Sequence, residues 1–170
     1  MKRFSLLIVL LAVAALMLSA GCGEKDKKAW EKAEKYNTKE AYNEFITKYP
    51  NSQYAKDAKN AIEKLEWRAV LNENTIEAYR NYMTENPGSK YYKLAQNKVK
   101  ELHNIYSLID ELEKAHDQED ITKMAFSLAS YDNTASIAPL VELIKSEDTF
   151  KSSIGALSLG HLGREEAVFD

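Results

Sequence analysis

Residues 37–65, NTKEAYNEFITKYPNSQYAKDAKNAIEKL, align without a gap on residues 74–102, NTIEAYRNYMTENPGSKYYKLAQNKVKEL. Thirteen of the twenty-nine positions are identical at an offset of 37, among them Asn37/Asn74, Thr38/Thr75, Glu40/Glu77, Tyr42/Tyr79, Pro50/Pro87, Ser52/Ser89, Tyr54/Tyr91 and Ala58/Ala95. Self-similarity at a fixed period of this size is the signature of stacked supersecondary units. Trp30 and Trp67 keep the same spacing, so the relation extends upstream of the quoted stretch.

Each unit predicts a helix, a turn and a second helix. Asn37-x-x-Glu40 and Asn74-x-x-Glu77 have capping-box spacing, in which the Asn oxygen takes a free first-turn amide and the Glu reaches back. The short helix that follows should stop near Pro50 or Pro87, because proline lacks the amide and restricts the residue before it. Ser52 and Ser89 are then placed to cap the second helix. Its apolar residues Tyr54, Ala58, Ile62, Leu65 and Ala69 recur at steps of three and four, and the second copy has Tyr91, Ala95, Val99, Leu102 and Tyr106. Alanines where helices cross permit close approach while aromatics fill wider gaps, which is how a helical solenoid is built.

The pattern Trp-x(6)-Asn-Thr-x-x-Ala-Tyr-x-x-Phe-x-x-x-Tyr-Pro-x-Ser-x-Tyr-x-x-x-Ala, from Trp30 to Ala58, resembles the tetratricopeptide-like repeats of periplasmic outer-membrane assembly lipoproteins. The likeness covers residues 26–106. The 34-residue period and the early glycine of the strict tetratricopeptide pattern are absent, so the superfamily is implied and no particular member of it.

Further along, Ala125–Ile137 aligns on Ala156–Val168 at an offset of 31, with Ala125/Ala156, Ser127/Ser158 and Leu128/Leu159 identical. Ile137-Ala-Pro-Leu-Val-Glu-Leu-Ile and the helix expected to end at Gly163 together resemble a HEAT-like repeat. Ile137, Leu140, Val141 and Ile144 would form the inward stripe of its first helix, and Phe150, Ile154 and Leu157 that of its second. Glu165 to Asp170 looks like the opening of another repeat, with Val168 and Phe169 able to fold back as a cap. The expected fold is therefore all-α, about eight helices in an open solenoid, tetratricopeptide-like over 29–117 and HEAT-like over 118–170.

The amino terminus carries an address. Lys2 and Arg3 precede the apolar run Phe4–Met17, and Ser19-Ala20-Gly21 supply the small residues that a signal peptidase requires. The uncharged stretch 4–23 is also long enough to span a bilayer. The sole cysteine decides between them: Leu18-Ser19-Ala20-Gly21-Cys22 resembles the lipobox of bacterial lipoproteins, with Ser19 where that family most often has Leu. The resemblance implies cleavage between Gly21 and Cys22, a thioether-linked diacylglycerol on Cys22 and acylation of the new terminus by palmitate-type chains. It also implies residues 22–28 as a short polar tether. Each buried methylene contributes roughly 0.8 kcal/mol, so two or three chains anchor a protein stably. Gly23, rather than aspartate, follows the cysteine, which by the family's sorting rule favours the periplasmic face of the outer membrane.

Composition sets the remaining bounds. The 170 residues carry a net charge of −3, and loss of residues 1–21 would leave 21 basic against 26 acidic residues, a net charge of −5. That gives no basic footprint for nucleic acid. His103, His116 and His161 are not spaced as metal ligands. Ala156-Leu-Ser158-Leu-Gly160 imitates a nucleophile elbow but lies in a helical pattern. Asp117, Glu119 and Asp120 lack a calcium-loop pattern. No catalytic residue, metal or cofactor is expected.

Nine of the ten tyrosines fall between Tyr36 and Tyr106. Tyr42, Tyr54, Tyr79 and Tyr91 sit on the repeating stripes, whereas Tyr36, Tyr92 and Tyr106 are less fixed and are the candidate partner-binding residues. The expected function is a non-enzymatic, membrane-anchored scaffold that holds an envelope protein. The alternative is an accessory subunit of a cell-envelope enzyme or export complex.

Overall fold

The computed structural model describes residues 22–131 and 133–166, with side chains described from Gly23 to Leu162. The expected signal peptide, its Gly21 cleavage position and the Val168–Phe169 cap lie outside the described residues. Those described are all-helical, without a strand: α1 (Cys22–Tyr36), α2 (Lys39–Lys48), α3 (Ala55–Glu73), α4 (Ile76–Glu85), α5 (Tyr92–Lys114), α6 (Gln118–Ala129), a 3-10 turn (Thr134–Ser136), α7 (Ile137–Ile144) and α8 (Thr149–Glu166). They form two compact units divided between Leu71 and Asn72. The sequence boundary at 117/118 falls inside the second unit, because α5 packs on α6 and Asn133 is bonded back to Asn74 and Glu101.

Helix α1 begins at Cys22, so the stretch expected to be a tether is helical. Its charges suit that state, since Lys28 donates to Glu24 at 3.0 Å and Lys27 pairs with Glu31 at 3.9 Å, both one turn apart.

The helix boundaries repeat with small corrections to the expected chemistry. Asn37 and Asn74 do not cap α2 and α4. They are left-handed residues, φ 47° and 48°, immediately after α1 and α3. Asparagine is the side chain that best tolerates this conformation after glycine. The caps are Thr38 and Thr75, whose hydroxyls accept from the amides of Ala41 (3.2 Å) and Ala78 (3.0 Å). No Glu partner closes a box. Helices α2 and α4 end ahead of Pro50 and Pro87, as the prolines require. Ser52 and Ser89 hold the following turn by accepting from the amides of Tyr54 (3.2 Å) and Tyr91 (2.9 Å), and the next helix starts one residue later.

In the first unit the core joins Ala33 of α1, Tyr42 and Phe45 of α2 and Ala58 of α3. Trp30 stacks on Tyr54 with centroids 5.6 Å apart and meets the edge of Phe45 at 5.6 Å. Lys39 pairs with Glu66 and so ties α2 to α3.

In the second unit Tyr79 of α4 and Ala95, Leu102 and Ile105 of α5 are fully buried, and α5 packs against both α4 and α6. Helices α6, α7 and α8 pack on one another, with Leu128 and Leu140 at their centre. Gly155 makes the α7–α8 crossing close, since a β-carbon there would lie 2.9 Å from the Leu140 carbonyl oxygen and the Ile144 nitrogen. Two expectations fail in this part. Gly163 does not end α8, which continues to Glu166 in a conformation that asks nothing special of glycine. Leu140 is the only fully buried member of the proposed α7 stripe, while Ile137 and Ile144 are exposed and Leu157 of α8 is 60% exposed.

Candidate functional site

Small residues decide where α1 and α2 can meet. Ala29 and Ala33, one turn apart on α1, face Ala41 on α2 and leave a groove of about 140 Å³ between the helices. This is the size at which a protein cavity accepts a benzene-sized group. Lys32, Lys48 and Glu44 stand along the groove, and Tyr36 lines it while remaining 61% exposed. The Lys32 ammonium, one turn earlier on α1, lies 5.8 Å from the Tyr36 ring centroid, a cation–π arrangement. The groove can hold one aromatic or branched aliphatic side chain.

Tyr92 and Tyr106, the other two expected contact residues, are 38% and 46% exposed on α5. Fourteen residues of helix separate them by roughly 21 Å, so they are two contact points along one helix and not one pocket. Tyr36 belongs to the other unit. Near the middle of α5 a polar depression of about 420 Å³ is lined by Asn104, Ser107, Glu111, Ser127 and Ser130. Only the short polar residues at helical spacing mark it in the sequence.

The tyrosines that repeat do structural work. Tyr42 donates to Asn37 Oδ1 at 3.1 Å and Tyr79 to Asn74 Oδ1 at 3.0 Å, so each ties a helix to the chain reversal before it. Burial, and then the negative charge of Glu34 for Tyr42 and of Glu101 for Tyr79, pushes both phenols above their ordinary 10.0. They remain protonated donors at neutral pH. Asn74 in turn donates to Asn133 Oδ1 (2.8 Å) and Thr134 Oγ1 (3.1 Å), and Asn133 donates to Glu101 (2.6 Å).

Asp117 accepts from the amides of Glu119 (2.8 Å) and Asp120 (3.3 Å) and caps α6. Ser158 is fully buried inside α8, away from any strand-to-helix turn. His103 faces Arg80 at 3.4 Å and His161 meets the Phe126 ring. Among the described residues no three His, Cys, Asp or Glu side chains converge as a metal-ligand set.

One polar pair escaped sequence reasoning. Asp26, only 6% exposed, accepts from the Ser52 hydroxyl at 2.6 Å through Oδ2, across 26 residues of chain. Its place among exposed lysines and glutamates of α1 gave no sign of burial. Of the lipidation motif, only the backbone of Cys22 is described, as the first residue of α1. Among the described residues no helix is long and apolar enough to cross a membrane.

Set against known proteins, the chain matches no family model, no curated protein and no solved structure.

Proposed function

We propose that this chain is a lipid-anchored, non-enzymatic scaffold of the bacterial envelope, held by a diacylglyceryl group on Cys22 at the periplasmic face of the outer membrane. Its helices are read as a solenoid, tetratricopeptide-like before residue 117 and HEAT-like after it. The observation that carries the scaffold reading is the exposed aromatic set on repeated helix pairs. Tyr36 sits beside an alanine-floored groove, and Tyr92 and Tyr106 stand along α5. Aromatic residues concentrate binding energy when a partner covers them. The anchor reading rests on Cys22 directly after Leu-Ser-Ala-Gly, behind a basic start and an apolar run.

The test is site-specific photocrosslinking in native membranes, with benzoylphenylalanine placed singly at Tyr36, Tyr92 and Tyr106. Capture of one structural envelope protein from these positions, and not from a control at exposed Lys59, is the expected result. Enrichment of a single envelope enzyme would replace the scaffold by the accessory-subunit reading. No crosslink beyond the control level would remove both.

A further inference from the structure

Helix α1 sorts its side chains onto three faces. Asp26, Trp30 and Ala33, buried or half-buried, point inward. Lys25, Lys28, Lys32 and Lys35 follow at steps of three, four and three, so they share one side of the helix, and all four are exposed. Glu24, Lys27, Glu31 and Glu34 repeat the same steps one residue earlier and form the third face, also exposed and mainly acidic. Among the described residues only Lys28 of the four is ion-paired, to Glu24 at 3.0 Å, and an exposed pair of this kind holds little. Across the groove, Lys48 and Glu44 of α2 offset each other. The basic face is a local exception: after α1 the chain carries 16 basic against 22 acidic residues.

We propose that the lysine face of α1 is a docking surface for an anionic lipid bilayer, on which the helix lies lengthwise. Salt confines the attraction to about 8 Å from the surface. The four lysines are spread over roughly 15 Å of helix, so an upright α1 would engage Lys25 alone and a flat one engages them all. The choice of lipid follows from position and rests on the lipid-anchor reading above. Cys22 is the first residue of α1, so Lys25 stands about 4.5 Å of helical rise from the acylated residue, and the helix leaves no linker between them. Each lysine held at an anionic surface adds about fivefold to partitioning. Acyl chains keep a protein at the membrane without orienting it, whereas the lysine face orients the first unit and turns the acidic face of α1 toward water.

The test uses a chain that cannot be acylated, Cys22→Ala without residues 1–21, which retains every described residue. Cosedimentation compares vesicles of equal parts phosphatidylglycerol and phosphatidylcholine with vesicles of phosphatidylcholine alone. Partitioning at least about tenfold stronger on the anionic vesicles, falling steeply with added salt, is the expected result. Lys25→Gln, Lys28→Gln, Lys32→Gln and Lys35→Gln combined should return binding to the phosphatidylcholine level. The control, Lys56→Gln, Lys59→Gln, Lys93→Gln and Lys100→Gln combined, alters the net charge equally at exposed positions and should leave most of the binding. Gln matches the helix propensity of Lys, and circular dichroism of both variants checks that the fold is kept. Equal partitioning on the two vesicles, equal losses in the two variants, or no binding to either vesicle would overturn the proposal, the last leaving the face to an acidic protein or to solvent. Acylation of Cys22 is read separately, from the intact mass of the chain, so the anchor can stand where the lysine face fails, and the reverse.

Discussion

Asn37 and Asn74 stand 37 residues apart and do the same thing: each turns the chain at positive φ and each accepts from the tyrosine five residues on. Ala125 and Ala156 stand 31 apart, in an alignment of similar look, and differ. Ala125 is fully buried while Ala156 is exposed, and Ser127 is half-buried while Ser158 is fully buried. The first repeat conserves its punctuation, an Asn, a Thr, a Pro and a Ser, each tied to one backbone geometry. The second shares Ala, Ser and Leu, which any face of a helix accepts. Identities among such residues do not fix how the helix is rotated.

If the two asparagines are equivalent except for the network around Asn74, alanine should separate them. Asn74→Ala is expected to cost about 3–4 kcal/mol, from left-handed strain of about 1–2 kcal/mol and roughly 1 kcal/mol for each lost bond to Asn133 and Thr134. Asn37→Ala should cost about 2 kcal/mol less, as it lacks those two partners. Urea unfolding followed by circular dichroism checks both, with Trp30 and Trp67 fluorescence separating out the first unit, which contains both tryptophans, from the second, which contains Asn74. Equal costs would mean that the Asn133 network contributes nothing.

The second region breaks differently. Gly155→Ala should destabilise by about 1–3 kcal/mol, because the added methyl meets backbone and Leu143 at 2.9 Å. Gly160→Ala, with nothing within 4 Å, should stabilise by up to about 1 kcal/mol through helix propensity alone. Thermal unfolding followed by circular dichroism distinguishes the signs, and the same sign at both positions would refute the close α7–α8 crossing.

Smaller and more nearly equal effects should come from the caps. Thr38→Ala and Thr75→Ala are each expected to cost about 1 kcal/mol, and a disparity of more than twofold in urea unfolding would show that the two repeats are not the same device.

The smallest effect is alkaline. Because Tyr42 and Tyr79 have phenols raised above 10.0, the unfolded chain releases these protons more readily than the folded one. The stability they contribute is therefore complete below pH 10 and is lost as pH rises through the raised values. Melting temperatures measured on both sides of pH 10 should fall, and less so in Tyr79→Phe. A fall of the same size in that variant would remove Tyr79 from the explanation.

Helix content, the proline-limited ends of α2 and α4 and the buried positions Tyr42, Tyr79, Ala58 and Ala95 could all be read from the 37-residue offset. The asparagines were misread because Asn caps a helix start and ends the preceding helix with equal ease, and only the backbone angle separates the two roles. The exposed faces of α7 and α8 were illegible for another reason: an apolar stripe states that a helix prefers to be covered, not that the chain supplies the cover. Tyr36 and Tyr92 lie off the stripes and Tyr106 at the end of one, and all three are exposed. Asp26 and Ser52 gave no sign, because their meeting depends on tertiary contact across α1 and the turn after α2.

The proposed function turns on the anchor, and the intact mass of the chain extracted from host membranes tests it most directly. The account predicts a chain beginning at Cys22 and carrying a diacylglyceryl group, with release from the membrane fraction when Cys22→Ala is combined with an efficiently cleaved secretory signal. A chain that retains residues 1–21, or one that begins near Cys22 with a free thiol, would contradict it.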